Sequence, residues 1–153
     1  MKLRAALIAG LLVAVDQLTK FWASMHLELN NTRPLLKNVL HLTLVRNSGA
    51  AFGFFKERAA VFIFISVVAI LLILFYAKRF ERNYRFARTG LLLILAGTIG
   101  NLIDRIRFGY VVDFIDLRIW PVFNFADIFI SLGGLLLICH ILVFGRDKQH
   151  IKP

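Results

Sequence analysis

Four aspartates crowd the stretch from Gly100 to Asp127: Asp104, Asp113, Asp116 and Asp127. The chain has nine acidic residues against nineteen Lys and Arg, so four of its nine carboxylates stand in this one stretch, beside apolar runs. A carboxylate at the centre of a membrane helix costs about 2.5–3.5 kcal/mol even on the lenient insertion scale, and acids so placed usually serve chemistry or transport. Asn101 lies three residues before Asp104, and Asn124 three before Asp127. Within a helix each Asn would share a face with its Asp, where an amide can hold a carboxyl group in one orientation. Two aspartates brought together cannot both ionise cheaply. They share a proton, leaving one carboxylate as base and one carboxylic acid as donor. Such a pair activates water against a peptide carbonyl without a metal or a covalent intermediate. The sequence contains neither H-E-x-x-H nor G-x-S-x-G, and Ser48 has no identified base, so carboxylate chemistry is what remains.

The elements that must position these acids are membrane helices. Of 153 residues 59% are hydrophobic, with a mean hydropathy of +0.73, which indicates an integral membrane protein of a single domain. A net charge of +10 would by itself suggest nucleic acid, but the basic residues are sparse in the apolar runs and dense beside them, and no basic helix face or aromatic platform is present. The lone Cys139 offers neither a disulfide nor a C-x-x-C metal site.

Spans are expected at about 5–25, 59–77, 89–107 and 122–144, the last opened by Pro121. The first mimics a secretory signal, but Asp16, Gln17, Lys20, Phe21 and Trp22 follow where a cleavage site wants small residues. Trp22 reads as an interfacial aromatic and Lys20 as a side chain snorkelling to the headgroups. The 78–88 segment holds five Lys and Arg in eleven residues and is expected to be cytoplasmic, as are both termini. Segments 26–58 and 108–121 then lie outside. Asn30, Asn31, Arg33 and Pro34 read as loop, and 39–46 alternates as a strand ending at the Arg46-Asn47-Ser48-Gly49 turn. The Ala50 to Phe55 run suits either an apolar shelf or a re-entrant loop. Gly97 and Gly100 allow close helix approach, and Gly133 and Gly134 suit packing.

The sequence resembles the lipoprotein signal peptidases, or signal peptidase II family, of bacterial membrane aspartyl proteases. The resemblance rests on Asp16-Gln17-Leu18-Thr19-Lys20, Asn47-Ser48-Gly49-Ala50-Ala51-Phe52, Gly100-Asn101-Leu102-Ile103-Asp104-Arg105, Val111-Val112-Asp113-Phe114 and Phe123-Asn124-Phe125-Ala126-Asp127, in that order along nearly the whole chain. It implies four transmembrane helices with a small extracytoplasmic β-sheet, and Asp113 and Asp127 as the catalytic dyad. Asn47, Asn101, Arg105 and Asn124 would line the site, with Asp16 and Asp104 supporting it. It implies cleavage of the signal peptide from diacylglyceryl-modified prolipoproteins before the lipidated cysteine, at the outer face of the bacterial cytoplasmic (inner) membrane. It also implies inhibition by globomycin-type lipopeptides. No cofactor or metal is expected, and the chain is expected to act as a monomer. One departure is Ala96-Gly97, where the family usually has Gly-Gly. Asp116 matches less firmly and reads as a structural acid.

On the residues alone, other readings stay open. Asp113 and Asp127 could be structural acids paired with Arg105 and capped by Asn. A small proton-coupled transporter would use intramembrane acids as a relay, although no internal repeat is visible. A lipid-binding scaffold would keep the aromatic loop and need no paired acids.

Overall fold

A computed structural model describes residues 3–49, 59–77 and 84–144. Residues 50–52 of the loop motif, the whole 50–55 run, most of the basic 78–88 segment and the basic tail lie outside the described residues. The elements are α1 (Leu3–His26), β1 (Thr32–Leu36), β2 (Leu40–Asn47), α2 (Ala59–Ala77), α3 (Arg85–Phe108), β3 (Val111–Asp116) and α4 (Phe125–Phe144). All four helices are long and apolar enough to cross a membrane. Large apolar side chains such as Leu7, Leu11, Phe64, Leu71, Leu135 and Ile141 face outward, a surface that suits lipid rather than water.

Helix α3 is the hub, with α1, α2 and α4 packed on it. Its buried face carries Gly90, Gly97 and Gly100. A Cβ on Gly90 would stand 2.7 Å from the Gly133 carbonyl oxygen of α4, and a Cβ on Gly97 would collide with the Ala126 carbonyl. Glycine is therefore what lets α3 and α4 touch backbone to backbone. Ala96 is fully buried, so the departure from Gly-Gly is accommodated in the core. Gly134 has open space around it and contributes nothing to this contact.

The three strands form one antiparallel sheet in the order β1-β2-β3. The alternating stretch read as a strand is β2. β1 corrects the loop expected around Arg33 and Pro34: as an edge strand it tolerates a proline that donates no ladder bond. Ala23 of α1 and Leu27 just beyond it pack with Leu44, Val112 and Phe114, seating the sheet on the end of the bundle.

Two local devices bring the acids together. Gly109, at φ 78°, adopts the left-handed conformation that closes α3, its N–H donating to the Arg105 carbonyl at 3.0 Å. β3 can thus return at once across the helix end. Phe123 then pairs with Ile115, exchanging bonds of 2.8 and 3.0 Å, and delivers the chain to the head of α4. That helix begins at Phe125, not at 122 as Pro121 suggested, because Asn124 supplies the cap.

Candidate active site

Asn124 occupies the N-cap of α4, and its side-chain oxygen accepts the Asp127 N–H at 3.0 Å. The Asp127 carboxylate reaches back to accept the Asn124 N–H at 3.2 Å. This reciprocal pair is a capping box, and it satisfies two otherwise orphaned backbone donors. The Asn124 amide nitrogen meanwhile donates to Asp113 Oδ1 at 2.6 Å. One fully buried asparagine therefore touches both acids. The remaining oxygens are held from other elements: Asn47 at the end of β2 donates to Asp113 Oδ2 at 2.8 Å, and Asn101 of α3 donates to Asp127 Oδ1 at 2.8 Å. The Asn-x-x-Asp spacings thus act differently from a shared helical face: Asn101 serves Asp127 rather than Asp104, and Asn124 stands before the helix.

The environments of the two acids differ. Asp113 is 1% exposed, whereas Asp127 is only half-buried. Burial pushes the Asp113 carboxyl up to about 6, opposed by the Asn47 amide, reinforced by the charge of Asp127 and opposed again by Asn124 and Lys20. A buried acid whose proton is held more tightly than usual thus stands beside one that is more exposed.

Beneath the acids lies a buried polar layer. Lys20 is 3% exposed, and its ammonium reaches Asp16 at 2.9 Å, Asp104 at 3.0 Å and the Asn101 side-chain oxygen at 2.9 Å. Three donors meet three acceptors. Asp16 also accepts the Ala126 N–H at 2.9 Å, placing a carboxylate at the positive end of α4, and Asp104 accepts the Val112 N–H at 3.1 Å, pinning β3. Gln17 joins the two through Asp16 Oδ2 at 3.2 Å and Asp104 Oδ1 at 3.0 Å. Arg105 is half-buried, its guanidinium 5.2 Å from the centre of the Phe62 ring, with its charge acting on Asp127, Asp113 and Asp104.

The sequence pattern described as Signal peptidase (SPase) II matches residues 8–143. The chain belongs to the signal peptidase II family. A family member from Moorella thermoacetica, named lipoprotein signal peptidase, is 43% identical over 147 residues, covering 96% of this chain and 97% of its own. One of the same name from Clostridioides difficile is 43% identical over 145 residues, 94% of this chain and 97% of its own. Two solved structures described as bacterial membrane enzymes superpose with TM-scores of 0.84 and 0.83 at 29% and 30% identity, covering 98% and 92% of this chain and 94% of each of theirs. The family is one of peptidases, and the carrier reading finds no support in these comparisons.

The fold brings together every residue singled out from the sequence as a candidate: Asp113, Asp127, Asn47, Asn101 and Asn124 directly, Asp16 and Asp104 through Lys20, and Arg105 at the edge. Asp116 stands apart at the sheet, accepting Thr43 at 2.8 Å and the Arg118 N–H at 2.8 Å. Burial works against its charge, yet these donors and the Arg118 guanidinium hold its carboxyl below the ordinary value. Lys20 is the correction. It does not snorkel to the headgroups but fills the polar layer, because Asp16 and Asp104 would otherwise be buried without a cation. Its position four residues after Asp16 was the available signal.

Proposed function

We propose that the chain is an aspartic endopeptidase that removes the signal peptide from diacylglyceryl-modified prolipoproteins, cutting before the lipidated cysteine. The observation that supports this reading is the double engagement of Asn124, which holds Asp113 and Asp127 against one residue. The pair starts with one proton, resident on buried Asp113. Ionised Asp127 takes a proton from water as that water attacks the scissile carbonyl, while Asp113 donates to the carbonyl oxygen. The proton gained by Asp127 then passes to the departing amine, and Asp113 recovers its own as the intermediate collapses. The polar layer under Asn101 fixes the geometry through bonds that need no rearrangement during the reaction.

In this reading the chain works as a monomer in the bacterial inner membrane, with both termini cytoplasmic and the acids toward the outer face. Globomycin-type lipopeptides compete for the same space. The test is a gel-shift cleavage assay on a diacylated prolipoprotein beside its unlipidated twin. Cleavage of the lipidated form alone is expected; equal cleavage of both, or of neither, defeats the reading.

A further inference from the structure

Helices α1 and α2 both pack on α3 but make no extensive contact with each other, and at the end of the bundle away from the acids they leave a crevice floored by α3. Its volume is about 630 Å³, within the range of small-molecule sites of roughly 300–1,000 Å³. The walls are aliphatic, with Ile8 from α1, Ile73 from α2 and Leu92 from α3. Three arginines converge at it: Arg4 from the start of α1, and Arg85 and Arg88 from the start of α3. Among the described residues none of the three is ion-paired to a carboxylate. Apolar walls that end in three guanidinium groups match one chemistry, an acyl chain joined to an anionic headgroup.

We propose that this crevice is a binding site for an anionic phospholipid, with acyl chain against Ile8, Ile73 and Leu92 and phosphate among Arg4, Arg85 and Arg88. A guanidinium presents paired N–H groups to phosphate oxygens, which an ammonium does not. A signal-peptide helix is the poorer occupant, because its basic leading segment would meet the same three cations. In the topology proposed above, the crevice opens to the cytoplasmic leaflet, whose anionic lipids attract basic side chains. The site is independent of the chemistry assigned to the aspartates.

The test is native mass spectrometry of the delipidated full chain in detergent, with palmitoyl-oleoyl phosphatidylglycerol and phosphatidylcholine supplied in turn. Wild type is expected to retain the phosphatidylglycerol about tenfold better, and Arg4→Gln/Arg85→Gln/Arg88→Gln to bind the two lipids within about twofold of each other. Ile8→Trp, which fills the crevice from a half-exposed position, should reduce retention of both lipids. Equal retention of the two lipids by wild type overturns the site, as does a preference that survives the triple substitution. Full competition by glycerol phosphate shows a headgroup site without a lipid groove and overturns it too. A higher KM for prolipoprotein in Ile8→Trp with lipid retention unchanged assigns the crevice to the peptide instead. Should the triple variant fail to fold, Arg88→Gln and Ile8→Trp carry the same outcomes singly.

Discussion

Asn124 donates to Asp113 at 2.6 Å with its side chain while its backbone N–H is held by Asp127 at 3.2 Å, so the cap of one helix is also the spacer between two carboxyl groups. This makes each aspartate and the asparagine separable by mutation. Asp113→Asn and Asp127→Asn preserve shape and remove the proton that the proposed mechanism shares between the acids, and each is expected to lower kcat by about 10²–10⁴-fold or more while the protein stays in the membrane. Asn124→Ala keeps both acids but loses its hydrogen bond to Asp113, worth about 0.5–1.5 kcal/mol, and the N-cap of α4, worth about 0.5–2 kcal/mol, so kcat should fall roughly ten- to hundredfold. Near-full turnover by either Asp variant on a lipidated substrate would show that the acids are structural.

The raised Asp113 predicts a pH dependence with a definite sign. In the proposed mechanism the active form holds one proton, so kcat/KM should decline as pH rises through about 6. The Asn47 amide stabilises the ionised form, and Asn47→Ala should therefore move that limb to higher pH. Stability follows the same group. Because folded Asp113 binds its proton more tightly than the ordinary value of 3.8 implies, the fold gains stability as pH falls from about 6 toward 3.8. Asp113→Asn should flatten that dependence, and a limb that ignores Asn47→Ala would assign the titration to another group.

Lys20 offers a test through stability rather than chemistry. Removing one partner of a buried ion pair costs about 3–5 kcal/mol, because the other charge is stranded. Lys20→Met strands both Asp16 and Asp104, so a large loss in thermal unfolding in detergent is expected. Neutralising the acids as well, in Lys20→Met/Asp16→Asn/Asp104→Asn, should recover much of it. A triple variant less stable than Lys20→Met would mean that the layer is held by something other than charge compensation.

The acids themselves were legible because carboxylates are scarce here and fall beside apolar runs. Their partners were less so. Asn101 and Asp127 are 26 positions apart, and no spacing within one helix announces a bond that forms only when α3 and α4 touch. Lys20 misled because a lysine near the end of an apolar run has two cheap fates, snorkelling to water or pairing inward, and the choice depends on Asp104 from another helix. At the head of α4, the preference of proline for a first turn competed with the capping power of Asn124, and the cap prevailed because it satisfies two backbone donors at once. β1 escaped notice because Pro34 marks a loop unless the strand is an edge.

Charge density gives a topological prediction. The 78–88 segment should label only from the cytoplasmic side when it carries a cysteine tag in intact cells, since its five Lys and Arg lie in eleven residues. Labelling from outside would turn the acids to the cytoplasmic face and remove the proposed access of a translocated substrate.

Paired glycine substitutions separate packing from propensity. In a helix interior alanine is preferred to glycine by about 0.8–1.0 kcal/mol, so Gly134→Ala, with open space around it, should leave stability unchanged or raise it by up to that amount. Gly97→Ala gains the same propensity but drives its methyl into the Ala126 carbonyl and the Ile130 side chain, an overpacking that costs about 1–3 kcal/mol and should win. The effect on activity should exceed the effect on stability. Ala126 is held to Asp16 by its N–H and immediately precedes Asp127, so a methyl that pushes α4 away from α3 stretches the Asn101–Asp127 bond of 2.8 Å before it unfolds anything. Unfolding curves and prolipoprotein cleavage measured on both variants decide it: Gly97→Ala with full activity would mean that the two helices can part without disturbing the acids.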